Sequence, residues 1–288
     1  MDLPVFPPRL GEPRVAHADP DFLAVVKPAG IHTAPSAEGG KEPDAPSLAE
    51  WVFERFPEIR GIKGRGRGEG GLLHRLDRET SGLVLFARSE EAFLRLSESA
   101  AEGRFRKEYA LLARPSREGL PGSRPERGVP SGVDADAWGR IPDSTGRAAA
   151  DPEAGPGIAE DLRSLLADAL NSGRGIFVEC RFRPYGPGSA RVACAAADAV
   201  LGRSRASWGG VSYRTEILAA ASGGGILGIR AALTRGFRHQ IRAHLAWIGL
   251  PLEGDGAYGG RRGERLALHA AALEFPHPRT GAPVRIEG

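Results

Sequence analysis

Only two cysteines, Cys180 and Cys194, occur in the 288 residues. They form neither a disulfide framework nor a Cys-x-x-Cys metal pair, so they read as small, partly buried residues in a reducing compartment. No apolar run approaches the ~20 residues needed to span a bilayer. The opening Met1-Asp2-Leu3-Pro4 lacks a basic stretch followed by an apolar core. Export is therefore not expected, and a cytoplasmic location without membrane association is. The glycines between Arg60 and Gly71 lack the Gly-Lys-Ser/Thr ending of a phosphate loop, which argues against a nucleotide site. His239 and His244 lack the acidic neighbour of a His-Glu-x-x-His pair, so no metal is expected. No internal repeat is evident.

What is present is a chain long enough to bury a substantial core, with net charge +3, pI near 9.1 and far more arginine than lysine. Arginine suits phosphates and planar bases because its fork is rigid and stacks. That balance fits an RNA partner and fits a GC-rich genome equally well. Nothing demands more than a monomer.

Residues 1–12 are Pro-rich and read as an extended arm ahead of a body over 13–288. Phe22–Lys27 reads as a strand stopped by Pro28-Ala29-Gly30. Ser47 with Glu50 is a capping box that opens a short helix through Trp51, Val52 and Phe56. Arg60–Gly71 reads as a mobile basic loop. Leu83–Ala87 is a continuous apolar run, as expected of a strand buried on both faces. Ser89 caps a helix carrying Phe93, Leu94 and Leu96, which Gly103 closes.

Tyr109–Ala113 reads as a further strand, and periodicity then fails from Pro115 to Gly157. An amphipathic helix is expected over Leu162, Leu165, Leu166, Ala169 and Leu170. Strands are expected near Ile176–Phe182, Val211–Leu218 and Ile226–Leu233, with a turn at Gly223-Gly224-Gly225. A helix from about His239 to Ile248 follows. Strands and helices mix without regular βα alternation, which predicts an α+β fold.

The densest chemistry lies in Leu73-His74-Arg75-Leu76-Asp77-Arg78-Glu79-Thr80-Ser81-Gly82, leading into the buried run at Leu83. Charges packed this closely before a core strand are costly to bury unless they pair. Read from the residues alone, this is either a turn in which Asp77 and Thr80 bond local amides or a site built around a carboxylate.

The segment resembles the signature of RluA-type pseudouridine synthases, whose aspartate is the catalytic nucleophile. Four further segments match that family in order. They are Val26-Lys27-Pro28-Ala29-Gly30; Arg106-Lys107-Glu108-Tyr109; His239-Gln240-Ile241-Arg242-Ala243-His244-Leu245 with Gly254-Asp255 to Tyr258-Gly259; and Leu268-His269-Ala270 to Phe275-Pro276-His277-Pro278. The resemblance spans about 13–285, with a variable insertion at about 115–210 outside it. It implies a mixed, largely antiparallel sheet flanked by helices, with a catalytic cleft across it. No basic S4 domain precedes the catalytic region, unlike in many relatives.

The implied activity is isomerisation of specific uridines to pseudouridine in rRNA or tRNA. The bond from C1′ to N1 breaks and C1′ joins C5, so no cofactor is required. Asp77 is implied as the nucleophile or as the group assisting glycal formation. Tyr109 is implied to offer a flat face to the flipped base and a hydroxyl for the C5 proton. The family reads Gly-Arg-x-His-Gln where this chain has Arg235-Gly236-Phe237-Arg238-His239-Gln240. The active-site arginine role therefore passes to Arg238 or Arg235, with Arg238 favoured. His74 and Arg75 are expected to fill the gap left by the base or touch phosphate, and Leu268 to floor the pocket. Thr80, Arg235, His239, Gln240 and Arg242 complete the expected substrate-binding set. The alternative reading is a non-catalytic RNA-binding or RNA-folding protein on the same fold.

Overall fold

The computed structural model describes residues 11–35, 46–64, 66, 68–115, 176–196 and 211–288. The expected amphipathic helix through Leu162–Leu170, most of the insertion and nearly all of the 1–12 arm lie outside these residues. The described chain forms two compact units, one from Phe6–Tyr109 with Leu268–Gly288 and one within Ala110–Ala267.

The first unit contains β1 (Arg14–Ala18), β2 (Phe22–Lys27), α1 (Leu48–Arg55), α2 (Pro57–Arg60), β3 (Ser81–Ala87) and α3 (Glu90–Ala101). Most of its last sheet strands come later in the chain. β4 (Arg106–Ala113) begins here, and β9 (Leu268–Pro276) and β10 (Pro283–Glu287) return to it. The strand order is β1-β2-β3-β9-β4, with β10 also paired to β9. β2 and β3 pair antiparallel from Phe22 opposite Ala87 to Lys27 opposite Gly82, and every residue of both is buried. The two uninterrupted apolar runs are therefore central strands, as the sequence predicts for Leu83–Ala87 alone.

Their side chains meet Phe93 and Leu96 of α3, Phe105, and Leu273 and Phe275 of β9 in one core. Ser47 and Glu50 form the expected capping box on α1, and the Ser89 hydroxyl accepts from the Ala92 amide at the start of α3. β3 and β9 are parallel at Ser81–His269 and Gly82–Ala270. A side chain at position 82 would place its Cβ 2.3 Å from the Ala270 carbonyl oxygen, and the backbone there has φ +117°. Only glycine permits that approach.

The Arg60–Gly71 segment is not a free loop at its C-terminal end. Glu69, Gly70 and Gly71 are buried, and the Ala87 amide donates to the Gly71 carbonyl at 2.7 Å. Glycine permits the close backbone packing here that its composition alone suggested was mobility.

The second unit holds the remainder of β4, β5 (Ile176–Tyr185), β6 (Arg191–Ala196), β7 (Ser212–Gly223), β8 (Ile226–Leu233) and α4 (Gln240–Trp247). Its strand order is β4-β8-β7-β5-β6. β7 and β8 form a hairpin across Gly224 and Gly225, both at positive φ as a tight two-residue turn demands. β7 continues five residues beyond the expected Leu218, to Gly223. Every pairing with a described register is antiparallel except β3–β9. The fold is α+β with a largely antiparallel sheet.

Candidate active site

In the first unit, Asp77 sits half-buried just before a turn in which the Thr80 amide donates to the Asp77 carbonyl at 3.1 Å. This turn is held from outside. Lys27 ends β2 fully buried, and its Nζ donates to the carbonyls of Pro28 (2.9 Å), Ile31 (2.9 Å) and Arg78 (3.1 Å). A buried ammonium needs acceptors for its three donors, and here one of those carbonyl oxygens belongs to the turn. The Gly30 amide donates to the same Arg78 carbonyl at 2.8 Å, and Arg78 Nε donates back to the Gly30 carbonyl. On the other side of Asp77, the Thr33 hydroxyl donates to the Leu76 carbonyl at 2.7 Å and accepts from the Leu76 amide at 3.1 Å. The carboxylate is thus clamped at the residues before and after it.

Tyr109, on β4, is buried, and burial followed by the Asp77 charge pushes its phenol well above the usual value. That second cause places the two side chains in electrostatic reach of each other. Thr80 Oγ1 is buried with no hydrogen-bond partner among the described residues, while Leu268 is buried at the start of β9. Arg75 is exposed and ion-paired to the buried Glu69. His74 is half-buried. Its Nε2 accepts from the Leu85 amide at 3.3 Å and its ring stands edge-on to Phe105.

The second unit carries the other expected residues. His239 caps α4 in the left-handed region, φ 56°, a strained conformation for a residue with a side chain. Its Nδ1 lies 3.0 Å from the Tyr258 hydroxyl, which accepts from the Val192 amide at 2.8 Å. Arg238 is exposed, and one of its amino groups donates to the carbonyls of Ser189 and Arg191. Arg235 is also exposed, with its guanidinium 5.7 Å from the Tyr213 ring centre.

Two of the expected substrate contacts are framework residues. Gln240 is buried: its Oε1 accepts from the Phe237 amide, and its Nε2 donates to the Arg214 carbonyl and to Thr215. Arg242 forms a buried two-pronged pair with Asp255, both bonds 2.8 Å. Both groups look like ligand-binding residues in sequence because polarity shows there and burial does not. Lys27, Thr33 and Asp255 were missed as positioning residues. A lysine closing an apolar strand was the available signal for the first.

Phe237 stacks on Phe182 at 5.0 Å with Tyr213 alongside. Burial pushes the His244 imidazole down to about 3.

Residues 21–247 match the family described as RNA pseudouridylate synthase. The chain belongs to that family, and its named relatives place it with the RluA-type members. An uncharacterised RNA pseudouridine synthase of Chloroflexus aurantiacus is 29% identical over 261 residues, covering 88% of this chain and 58% of that protein. The ribosomal large subunit pseudouridine synthase C of Escherichia coli is 27% identical, covering 95% of this chain and 65% of the relative. The chain therefore spans well under the full length of these relatives. The solved human RNA pseudouridylate synthase domain containing 1 shares the fold at TM-score 0.57 and 18% identity, covering 99% of this chain and 86% of that one.

Proposed function

We propose that this chain isomerises uridine to pseudouridine in structured RNA, of the rRNA or tRNA class, with Asp77 as the carboxylate that starts the reaction. The observation that carries this reading is a half-buried Asp77 at a doubly clamped turn, with the buried Tyr109 of β4 within reach of its charge. A general protein core has no use for a fixed, half-buried carboxylate whose charge raises a neighbouring phenol. An isomerase that must act on C1′ and then remove the C5 proton needs both groups.

Asp77 attacks an electrophilic carbon or assists glycal formation once the nucleotide has left its stack. The N1–C1′ bond breaks, C5 bonds to C1′, the C5 proton leaves and N1 gains one. Tyr109 presents its ring to the uracil. Because its phenol is held protonated, its oxygen can take the C5 proton only by passing its own proton on, and Asp77 is the group whose charge reaches it. Clamping matters because a displacement of about 1 Å can cost a hundredfold in rate.

Arg238, favoured over Arg235 for the displaced active-site arginine, takes the catalytic cation role. Arg75 and Arg235, both exposed, take RNA phosphates, which makes affinity fall as salt rises. His239 lines the RNA side, and Thr80 and Leu268 line the base pocket. Among the described residues no helix is long and apolar enough to cross a membrane. A cytoplasmic monomer is the working form we assign.

Chemical mapping of pseudouridine in total RNA, from cells with and without the protein, tests this directly. Sites that vanish on deletion and return with the wild-type chain, and not with Asp77→Asn, support it. Full restoration by Asp77→Asn overturns it.

A further inference from the structure

The second unit brings together three side chains that the proposed chemistry does not use. Cys180 lies on β5 and Cys194 on β6. Cys180 pairs with Ala196, and Cys194 with Phe182, so the thiols are diagonal neighbours on one face of an antiparallel hairpin. That face packs on Ala243 and Ala246 of α4, and on Phe182, Val192 and Tyr258. His244 of α4 reaches into it, with Nε2 3.1 Å from Cys180 Sγ. The three donor atoms lie within 4.8 Å of one another, and Cys180, Cys194 and His244 are 0%, 3% and 0% exposed.

We propose that Cys180, Cys194 and His244 hold a Zn2+ ion that ties α4 to the β5–β6 hairpin. Zn–S bonds of about 2.3 Å and Zn–N bonds of about 2.0 Å on a tetrahedron separate their donors by roughly 3.5–3.8 Å, within the spread found here. The ring is also oriented as a ligand would be. His244 Nδ1 is 2.8 Å from the Thr215 hydroxyl, itself fully buried, so the far nitrogen is anchored while Nε2 faces the sulfurs. An outer partner on the second ring nitrogen is the usual companion of a metal-bound histidine.

Charge decides which ion. Two thiolates, a neutral imidazole and a divalent cation sum to zero, so the dry surroundings carry no net charge. A monovalent soft cation such as Cu+ leaves one negative charge among Phe182, Val192 and Ala246, which is costly. Thiolate donors disfavour the hard divalent ions. Binding releases the two thiol protons and leaves the ion with three protein donors. The sequence hides this cluster because its members are spread across two strands and a helix, with no short spacing to mark them.

The cluster shares no residue with the proposed isomerisation chemistry, so its test does not depend on isomerase activity. The full chain is produced without a polyhistidine tag, unfolded under reducing, anaerobic conditions with chelator, and refolded with equimolar Zn2+ and Cu+. Elemental analysis after dialysis is expected to find about one zinc per chain, and Cys180→Ser or Cys194→Ser to lower that by tenfold or more. Refilling with Co2+ is expected to give a thiolate-to-cobalt charge-transfer band. Should the variants not fold, the wild-type chain still decides: its two thiols should resist a thiol reagent until chelator is added. Negligible metal in the refolded wild type, a native Cys180–Cys194 disulfide, or copper in place of zinc each overturns the proposal.

Discussion

Lys27 Nζ and the Arg78 carbonyl, 51 residues apart in sequence, are joined by a 3.1 Å hydrogen bond that fixes the turn following Asp77. The strand end and the turn are a single mechanical unit.

Replacing Lys27 with Met keeps the length of the side chain and removes all three donors. The carbonyls of Pro28, Ile31 and Arg78 then lose a partner. A destabilisation of about 1–3 kcal/mol is expected for such buried groups, measurable by denaturant unfolding. Turnover should fall by more than tenfold with RNA affinity retained. An unchanged rate removes Lys27 from the positioning role.

Thr33→Val tests the opposite clamp. The Leu76 amide and carbonyl both lose the hydroxyl, so stability should drop by about 1–3 kcal/mol. Thr33→Ser should restore most of it. A loss in Ser with little loss in Val would point to methyl packing instead of hydrogen bonding.

Arg242→Met leaves the Asp255 carboxylate buried without its partner. Removing one member of a buried pair costs about 3–5 kcal/mol, while RNA affinity per folded molecule should stay near wild type. A large affinity loss with unchanged stability would return Arg242 to the substrate surface.

Tyr109→Phe retains the ring and deletes the hydroxyl. Loss of a proton-transfer group typically costs about 10²–10⁴ in rate, and that range is expected here with binding preserved, read by single-turnover kinetics on bound RNA. Near wild-type turnover would leave Tyr109 only its stacking role.

Alkali should act through the two buried phenols. Burial raises Tyr109, with the Asp77 charge adding to it, and burial raises Tyr258 to about 12. Both folded values lie above the unfolded value of about 10. Their contribution to stability is complete below pH ~10 and is lost as pH climbs through the folded values. Absorbance titration should show both ionising late, together with unfolding. Ordinary titration of either in the folded chain would contradict the burial described.

Much of this was visible in the residues. The apolar runs at Phe22–Lys27 and Leu83–Ala87 read as strands, the second as one buried on both faces, and Ser47 with Glu50 and Ser89 announced their helices. Other strands left no such mark. β1 is mostly exposed and β10 is an edge with one buried residue, so neither has a hydrophobic period. β6, Arg191–Ala196, is short and built largely from small residues. At the candidate site, dense charge before a core strand drew attention to Asp77, while Tyr109 entered only through the family resemblance. The division of labour among polar residues was not legible. Gln240 and Arg242 resemble RNA-binding side chains until Thr215 and Asp255 are found beside them, and Lys27 resembles a strand end until its three carbonyl partners appear.

Release of tritium from RNA carrying 5-tritiated uridine measures the central claim most directly, because C5 must lose its hydrogen when it bonds to C1′. The wild-type chain is expected to release label in step with pseudouridine formed, and Asp77→Asn to bind the same RNA and release none. Release by Asp77→Asn at a comparable rate would show that the carboxylate at position 77 does not start the reaction.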